Sequence, residues 1–129
     1  MSTPEATGIV LRIAADRTAE FESMFEAEEL PIWDDFTARG LFLDARLVKV
    51  RGGSEVKDGV QDYLLQILAE DSRAHSAHDA DPRFQSFLAK AMKLQPVEPL
   101  VWFGEAIFSR SANADRASGK EMAMGCYPR

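Results

Sequence analysis

His75 and His78 are the only histidines among the 129 residues, and they stand three positions apart. On a helical turn this spacing places both imidazoles on one side, with Asp71, Asp79 and Asp81 close in sequence. An imidazole can serve as a general base near neutral pH, and a His and Asp cluster can bind a divalent metal. Alternatively, the histidines pack locally in a solvated turn. Because a metal site needs three or four fixed ligands, we expect no metal here.

Glu28 and Glu29 lie within or beside the apolar stripe of the first predicted helix. That stripe consists of Phe21, Met24, Phe25, Ile32, Trp33 and Phe36. A carboxylate in such a position loses hydration and needs a proton or a cationic partner. We therefore predict Glu28 as an acid–base group and Trp33 as part of the pocket wall. Alternatively, Pro31 kinks the helix and turns both glutamates toward water.

The remaining candidate ligand-binding residues lie in predicted strands. Arg12, Gln66 and Glu105 interrupt three otherwise apolar strands, so they can converge on one sheet face and orient a polar ligand. The alternative that we prefer is an ion pair between Arg12 and Glu105 that sets the register of an interface. Tyr63 and Trp102 can stack on a flat ligand or form ordinary core.

Hydrophobic periodicity gives the elements that must position these residues. Apolar residues alternate or run continuously in four segments, which predicts strands at 8–15, 42–51, 61–69 and 100–108. One helix follows the first strand and ends before Gly40, and Asp81-Pro82 begins a second helix after a short turn from Ser72 to Ala77. The order is that of a ferredoxin-like α+β fold, with two helices on one face of a four-stranded antiparallel sheet.

The apolar second face of the predicted sheet needs a cover. Strands three and four place Leu64, Leu68 and one alternating set of strand-four residues on it. Exposed apolar patches of this kind mark interfaces, so we predict a homodimer that packs sheet against sheet. The chain divides into an N-terminal extension at 1–7, one domain at 8–109 and a C-terminal tail at 110–129.

Composition limits the partners. The sequence has 46% hydrophobic and 28% charged residues, with 15 Lys and Arg against 21 Asp and Glu, a net charge of −6. No basic surplus favours nucleic acid or anionic membrane. We expect no membrane span and no secretion signal. Cys126 has no second cysteine as a partner, which favours a reducing, cytoplasmic location.

The segment His78-Asp-Ala-Asp-Pro-Arg-Phe84, followed by Phe87-Leu88, resembles a motif of the dimeric α+β barrel superfamily. The similarity is to antibiotic-biosynthesis-monooxygenase-like domains and their stress-responsive and EthD-like relatives, and it covers residues 8 to 108. It implies a dimer with a pocket between sheet and helices, and it ranks His78 above His75.

The resemblance also implies activities. Some relatives oxygenate quinol-like or polyketide aromatics without a cofactor, some degrade haem, and some have no demonstrated catalysis. Haem degraders carry a histidine in the second helix and an Asn in the first strand, and this chain has neither. We therefore expect no cofactor and a small apolar or aromatic ligand, with His78 as proton acceptor. The alternatives are a non-catalytic dimerisation module and an isomerase-type proton transfer.

Overall fold

The computed structural model describes residues 3–54, 56–110 and 112. Four strands form one sheet: β1 at Glu5–Ala14, β2 at Phe42–Lys49, β3 at Val60–Ala69 and β4 at Leu100–Glu105. They lie in the order β2-β3-β1-β4, and all neighbours are antiparallel. This arrangement confirms the predicted ferredoxin-like α+β fold. Most of the predicted tail, with Cys126, lies outside the described residues.

The first helical segment contains a widened turn. Helix α1 at Thr18–Met24 passes through a π-helical turn at Phe25–Glu29 into helix α2 at Leu30–Ala38. In that turn the N–H of Leu30 donates to the carbonyl of Phe25, five residues back. Pro31 has no N–H to donate and its ring needs room beside the preceding turn. Where the sequence predicted a kink at Pro31, the chain forms a π turn at Phe25–Glu29, and α2 begins at Leu30.

The second helical segment is longer than predicted. Helix α3 spans Ser72–Ala80, and its N-cap is Asp71, whose carboxylate accepts from the N–H of Ala74 at 2.9 Å. Helix α4 spans Pro82–Met92 and begins at the predicted position, with Asp81 accepting from the N–H of Arg83 at 2.8 Å. An Asp cap followed by proline at the first helical position explains this start.

The core lies between the helices and one face of the sheet, here called the inner face. Alternate residues of β1 and β3 point into it and pack against the apolar stripes of the helices. The largest apolar side chains there with less than 2% exposure are Ile13, Phe21, Ile32, Phe36, Tyr63 and Phe87. Strand β4 lies at the sheet edge, and all six of its residues are exposed.

On the opposite, outer face of the sheet, the Trp102 indole lies directly over Gly8. A Cβ atom on Gly8 would stand 1.9 Å from the Trp102 ring, so only glycine admits this contact. Val48, Leu100 and Trp102 also remain 39%, 52% and 52% exposed. The outer face is therefore partly apolar, as the strand pattern predicted.

The register separates two residues that were predicted to pair. In β1, Glu5 lies opposite Glu105 of β4, whereas Arg12 lies beyond the end of β4 and opposite Asp62 of β3. Seven positions apart on β1, these two sites also face opposite sides of the sheet. The predicted convergence and ion pair of Arg12 and Glu105 are therefore wrong.

No helix within the described part of the chain is both long and apolar enough to cross a membrane.

Candidate functional site

A buried histidine and glutamate form the centre of the site. His78 on α3 is 3% exposed and Glu29 at the end of the π turn is 0% exposed. The His78 Nε2 atom lies 2.7 Å from Glu29 Oε2. Trp33 Nε1–H on α2 donates to the same oxygen at 2.9 Å. Two elements thus bring a carboxylate and an imidazole together in the interior, where such a pair gains strength from exclusion of water.

Aromatic rings enclose the imidazole of His78. The Phe84, Phe42 and Phe36 ring centroids lie 4.3, 5.3 and 5.8 Å from that of His78, with Phe36 edge-on. These rings come from α4, β2 and α2, so the position of His78 depends on the packing of three elements. They restrict both the ring orientation and the access of water.

The carboxylates around His78 favour its protonated form. Burial opposes the charge and is the largest single effect on the pKa of His78, but hydrogen bonds to Asp79 and Glu29, with their negative charges, outweigh it. The net result raises the pKa of His78 from 6.5 to about 8. At pH 7 the ring is therefore mostly an imidazolium, and it becomes a base at higher pH.

Asp79 connects the two histidines. Its Oδ1 atom lies 3.2 Å from His78 Nδ1, and its Oδ2 atom lies 3.0 Å from His75 Nε2. His75 Nδ1 in turn contacts the carboxylate of Glu5 on β1. The predicted placement of both histidines on one side of a helical turn thus produces a chain of carboxylates and imidazoles.

A cavity of about 20 Å³ adjoins the histidines. Its lining residues are Thr7, Ile9, Phe42, Leu65, Ile67, His75, His78, Asp79 and Phe84. Thr7 is 6% exposed, and its hydroxyl has no hydrogen-bond partner within the described structure. A cavity of this size holds about one water molecule. The site therefore offers a small apolar space with an imidazole, a carboxylate and a free hydroxyl in its wall.

Glu28, the predicted acid–base group, points elsewhere. Its Oε2 atom accepts from Lys90 Nζ at 2.7 Å, and its side chain is 30% exposed. The neighbouring Glu29 is the carboxylate that meets His78. The sequence does contain a signal for the inward position of Glu29. It stands four residues after Phe25 and four before Trp33, which places the three on one helix face.

The other predicted ligand-binding residues lie apart from the cavity. Trp33 lies behind Glu29 and contacts it without lining the space. Tyr63 is core, and its hydroxyl donates to Glu22 at 2.6 Å, while burial raises its pKa strongly. Gln66 and Trp102 line an outer-face cleft of about 240 Å³. Only His75 and His78 of the predicted set line the cavity.

Arg12 and Glu105 lie at two further places. Arg12 is 9% exposed, its backbone N–H donates to Gln95 Oε1 at 2.9 Å, and its Nε has no hydrogen-bond partner in the described part of the chain. Glu105 lines an open polar groove of about 430 Å³ together with Glu5, Asp71 and Arg73. Sequence reasoning did not select Thr7 or Glu5 as site residues, and it named Asp79 only as part of a cluster that can bind a metal.

Solved structures share this fold at low sequence identity. SnoaB from Streptomyces nogalater, a cofactor-independent oxygenase solved as a variant, is 23% identical with a TM-score of 0.59, covering 81% of this chain and 95% of SnoaB. A proposed antibiotic biosynthesis monooxygenase from Caulobacter crescentus is 18% identical with a TM-score of 0.60, over 83% and 92%. Another from Nitrosomonas europaea is 7% identical with a TM-score of 0.66, over 86% and 97%.

These likenesses confirm the fold that the motif at His78 to Phe84 suggested. No protein-family description matches the sequence. No curated protein matches it significantly either. Fold similarity at this level of identity leaves the chemistry to be argued from the site itself.

Proposed function

We propose that the chain binds a small aromatic molecule that has an acidic C–H or O–H group, and that His78 removes its proton. The observation that carries this proposal is the buried contact of 2.7 Å between His78 Nε2 and Glu29 Oε2 beside an apolar cavity. A carboxylate behind an imidazole fixes its tautomer and stabilises the imidazolium that forms on proton transfer.

The contacts assign different tasks to the two ring nitrogens. Nε2–H of His78 donates to Glu29, so Nδ1, which also contacts Asp79, is the nitrogen that accepts a proton from a ligand. The unpartnered hydroxyl of Thr7 supplies a hydrogen bond to an oxygen of that ligand. Trp33 holds Glu29 in place and is a positioning residue.

We propose oxygenation without a cofactor as the reaction that follows. The substrate carbanion formed by proton removal transfers electrons to dioxygen; a ring-flanked methylene becomes a carbonyl, and the second oxygen atom leaves as water. The fold shared with SnoaB supports this choice over other uses of the same base. Isomerase-type proton transfer would use the same residues and need no dioxygen.

Ligand binding requires the cavity to widen. Its volume of about 20 Å³ is far below that of a protein cavity that binds benzene, about 150 Å³. Phe42 and Phe84 line it with aromatic side chains that can change rotamer. We therefore propose that ligand entry displaces one or more of these side chains.

We also propose that the functional unit is a homodimer joined through the outer face of the sheet. The partly exposed Val48, Leu100 and Trp102 on that face support it. Cys126, the only cysteine, supports a location in the reducing cytoplasm.

Anthrone tests proton removal and oxygenation separately. In D2O without oxygen, proton abstraction exchanges its methylene hydrogens for deuterium; in air, oxygenation consumes dioxygen and yields anthraquinone. We expect both reactions above the rate without protein, and His78→Gln should lower both by about 100-fold. Glu26→Gln, an exposed change in the same π turn, is the matched control and should leave both rates unchanged.

The outcomes distinguish the candidate functions. Deuterium exchange without oxygen uptake would replace the oxygenase proposal with isomerase-type proton transfer. If anthrone undergoes neither reaction and calorimetry detects no binding of it, a non-catalytic dimerisation module is favoured.

A further inference from the structure

We propose that the carboxylate of Asp79 carries protons between the buried His78 and solvent, and that His75, held by Glu5, keeps that carboxylate in position. This inference rests on the proposed function, because a base that takes protons from a ligand must release them before it acts again.

The ring of His78 is isolated from solvent. Its side chain is 4% exposed, and its Nε2 contacts the fully buried Glu29. Phe36, Phe42 and Phe84 surround the ring. Neither Glu29 nor these phenylalanines offers a path to water, so a proton on the ring must leave through Nδ1.

Asp79 connects the His78 ring to solvent. Its Oδ1 lies 3.2 Å from His78 Nδ1, yet its side chain is 53% exposed. Among the described groups in contact with the His78 ring, this carboxylate combines a hydrogen bond to the imidazole with access to solvent. In the transfer, the proton on Nδ1 passes to Oδ1, the ring becomes neutral, and the carboxylic acid then releases the proton to water.

His75 holds the side chain of Asp79 in one orientation. A half-exposed aspartate side chain samples several rotamers unless something holds it. His75 Nε2 lies 3.0 Å from Asp79 Oδ2, and His75 is itself only 16% exposed. Glu5 contacts the other nitrogen of His75, and the Phe103 ring lies edge-on with its centroid 5.6 Å away. Both oxygens of Asp79 are thereby fixed, one by each histidine.

Other charged groups near this path lie on neighbouring elements. Besides Asp79, the acidic groups near the His78 ring are Glu29 from the π turn and Asp81 from the junction of α3 and α4. Arg83 on α4 is occupied by Asp81 and Asp35, at 2.8 and 2.9 Å.

The test uses nuclear magnetic resonance of the full chain without substrate. With only two histidines present, their ring signals can be assigned from His75→Gln alone. We measure exchange of the His78 ring N–H protons with water from their line widths below pH 7. Asp79→Asn should slow this exchange by about tenfold and sharpen the signals, and His75→Gln should slow it by a smaller factor. Asp34→Asn, which removes an exposed carboxylate from α2, should change nothing.

The line widths of the variants separate the role of Asp79 from that of His75. Equal line widths in the wild type and Asp79→Asn, whether sharp or broad, would overturn the shuttle role. A slowed exchange in Asp79→Asn but none in His75→Gln would overturn the positioning role of His75. Should Asp79→Asn fail to fold, Asp79→Ala, which also removes the carboxylate, must slow the exchange or the proposal fails. Because no substrate is present, failure of the anthrone assay leaves this result interpretable.

Discussion

At the scale of single residues, the pair of Glu29 and His78 is the feature with the largest consequences. Both side chains are buried, and one carboxylate oxygen serves the imidazole and the indole of Trp33 together. The other oxygen of Glu29 has no partner within the described residues. A pair buried in this way is costly to break and sensitive to pH, which leads to two predictions.

The first prediction concerns stability and pH. The pKa of His78 is about 8 in the folded chain and 6.5 when exposed, so its contribution is fully present below pH 6.5 and is lost as pH rises through 8. The shift corresponds to about 2 kcal/mol of unfolding free energy. Urea denaturation at pH 6 and pH 9 measures the loss. In His78→Gln this part of the pH dependence should be absent. If both proteins lose the same unfolding free energy between pH 6 and pH 9, His78 is not its source.

The second prediction concerns Glu29→Gln. This change leaves a buried imidazolium without its counter-charge, so we expect the pKa of His78 to fall and the chain to lose about 3 kcal/mol at neutral pH. Histidine titration by nuclear magnetic resonance and urea denaturation provide the two measurements. Glu26→Gln should change stability by less than about 0.5 kcal/mol. A comparable effect of Glu28→Gln on the pKa of His78 would restore the residue that the sequence favoured.

At the scale of elements, two local irregularities set the geometry. The π turn at Phe25–Glu29 brings its last residue into the interior just before Pro31. Gly8 in β1 admits the Trp102 ring from β4 onto the outer face. In each case one residue type, proline or glycine, permits an arrangement that a regular element would exclude.

The third prediction tests the contact between Gly8 and Trp102. A methyl group on Gly8 would overlap the indole, so Gly8→Ala should displace Trp102 and cost about 1 kcal/mol. Tryptophan fluorescence should show greater exposure of Trp102, since the other tryptophan, Trp33, is buried. In Trp102→Ala the same glycine substitution should cost little, and a full cost there would place the strain elsewhere.

At the scale of the whole molecule, the sheet has one covered face and one open face. The helices cover β1 and β3, whereas β4 is exposed throughout. Apolar side chains on an open sheet face and edge are unfavourable in water. A second copy of the chain would cover both the open face and the exposed edge strand, which is why we propose the homodimer.

The fourth prediction tests that assembly. Trp102→Glu places a charge on the proposed interface and should shift the mass measured by light scattering at micromolar concentration from dimer toward monomer. Val56→Glu, a similarly exposed position in the loop between β2 and β3, should remain dimeric. A monomeric wild-type protein would refute the homodimer outright.

The elements were largely predictable because their signals are local. Asp81-Pro82 gave the start of α4, and alternation located all four strands. The strand ends were predicted less accurately: β1 begins at Glu5 rather than Gly8, and β4 ends at Glu105 rather than Phe108. The first shift brought Thr7, and with it a cavity hydroxyl, into the sheet.

The site was less predictable. Choosing Glu28 over Glu29 was an error of one residue, which on a helix is a rotation of about 100°. The π turn makes any regular periodicity ambiguous at that point. Likewise, the side of the sheet occupied by Arg12 and Glu105 depends on the register of β4 against β1, which the strand pattern alone does not fix.

The sequence by itself determined the order of elements, the buried face of each helix and the proximity of His75, His78 and Asp79 on one helical turn. These follow from backbone periods of 2 and 3.6 residues, which any stretch of chain carries within itself. Only the tertiary structure decided that His78 meets Glu29, 49 positions away, and that Glu5 holds His75. Such contacts depend on strand register and on how helices pack on the sheet, and these are settled by the whole core at once.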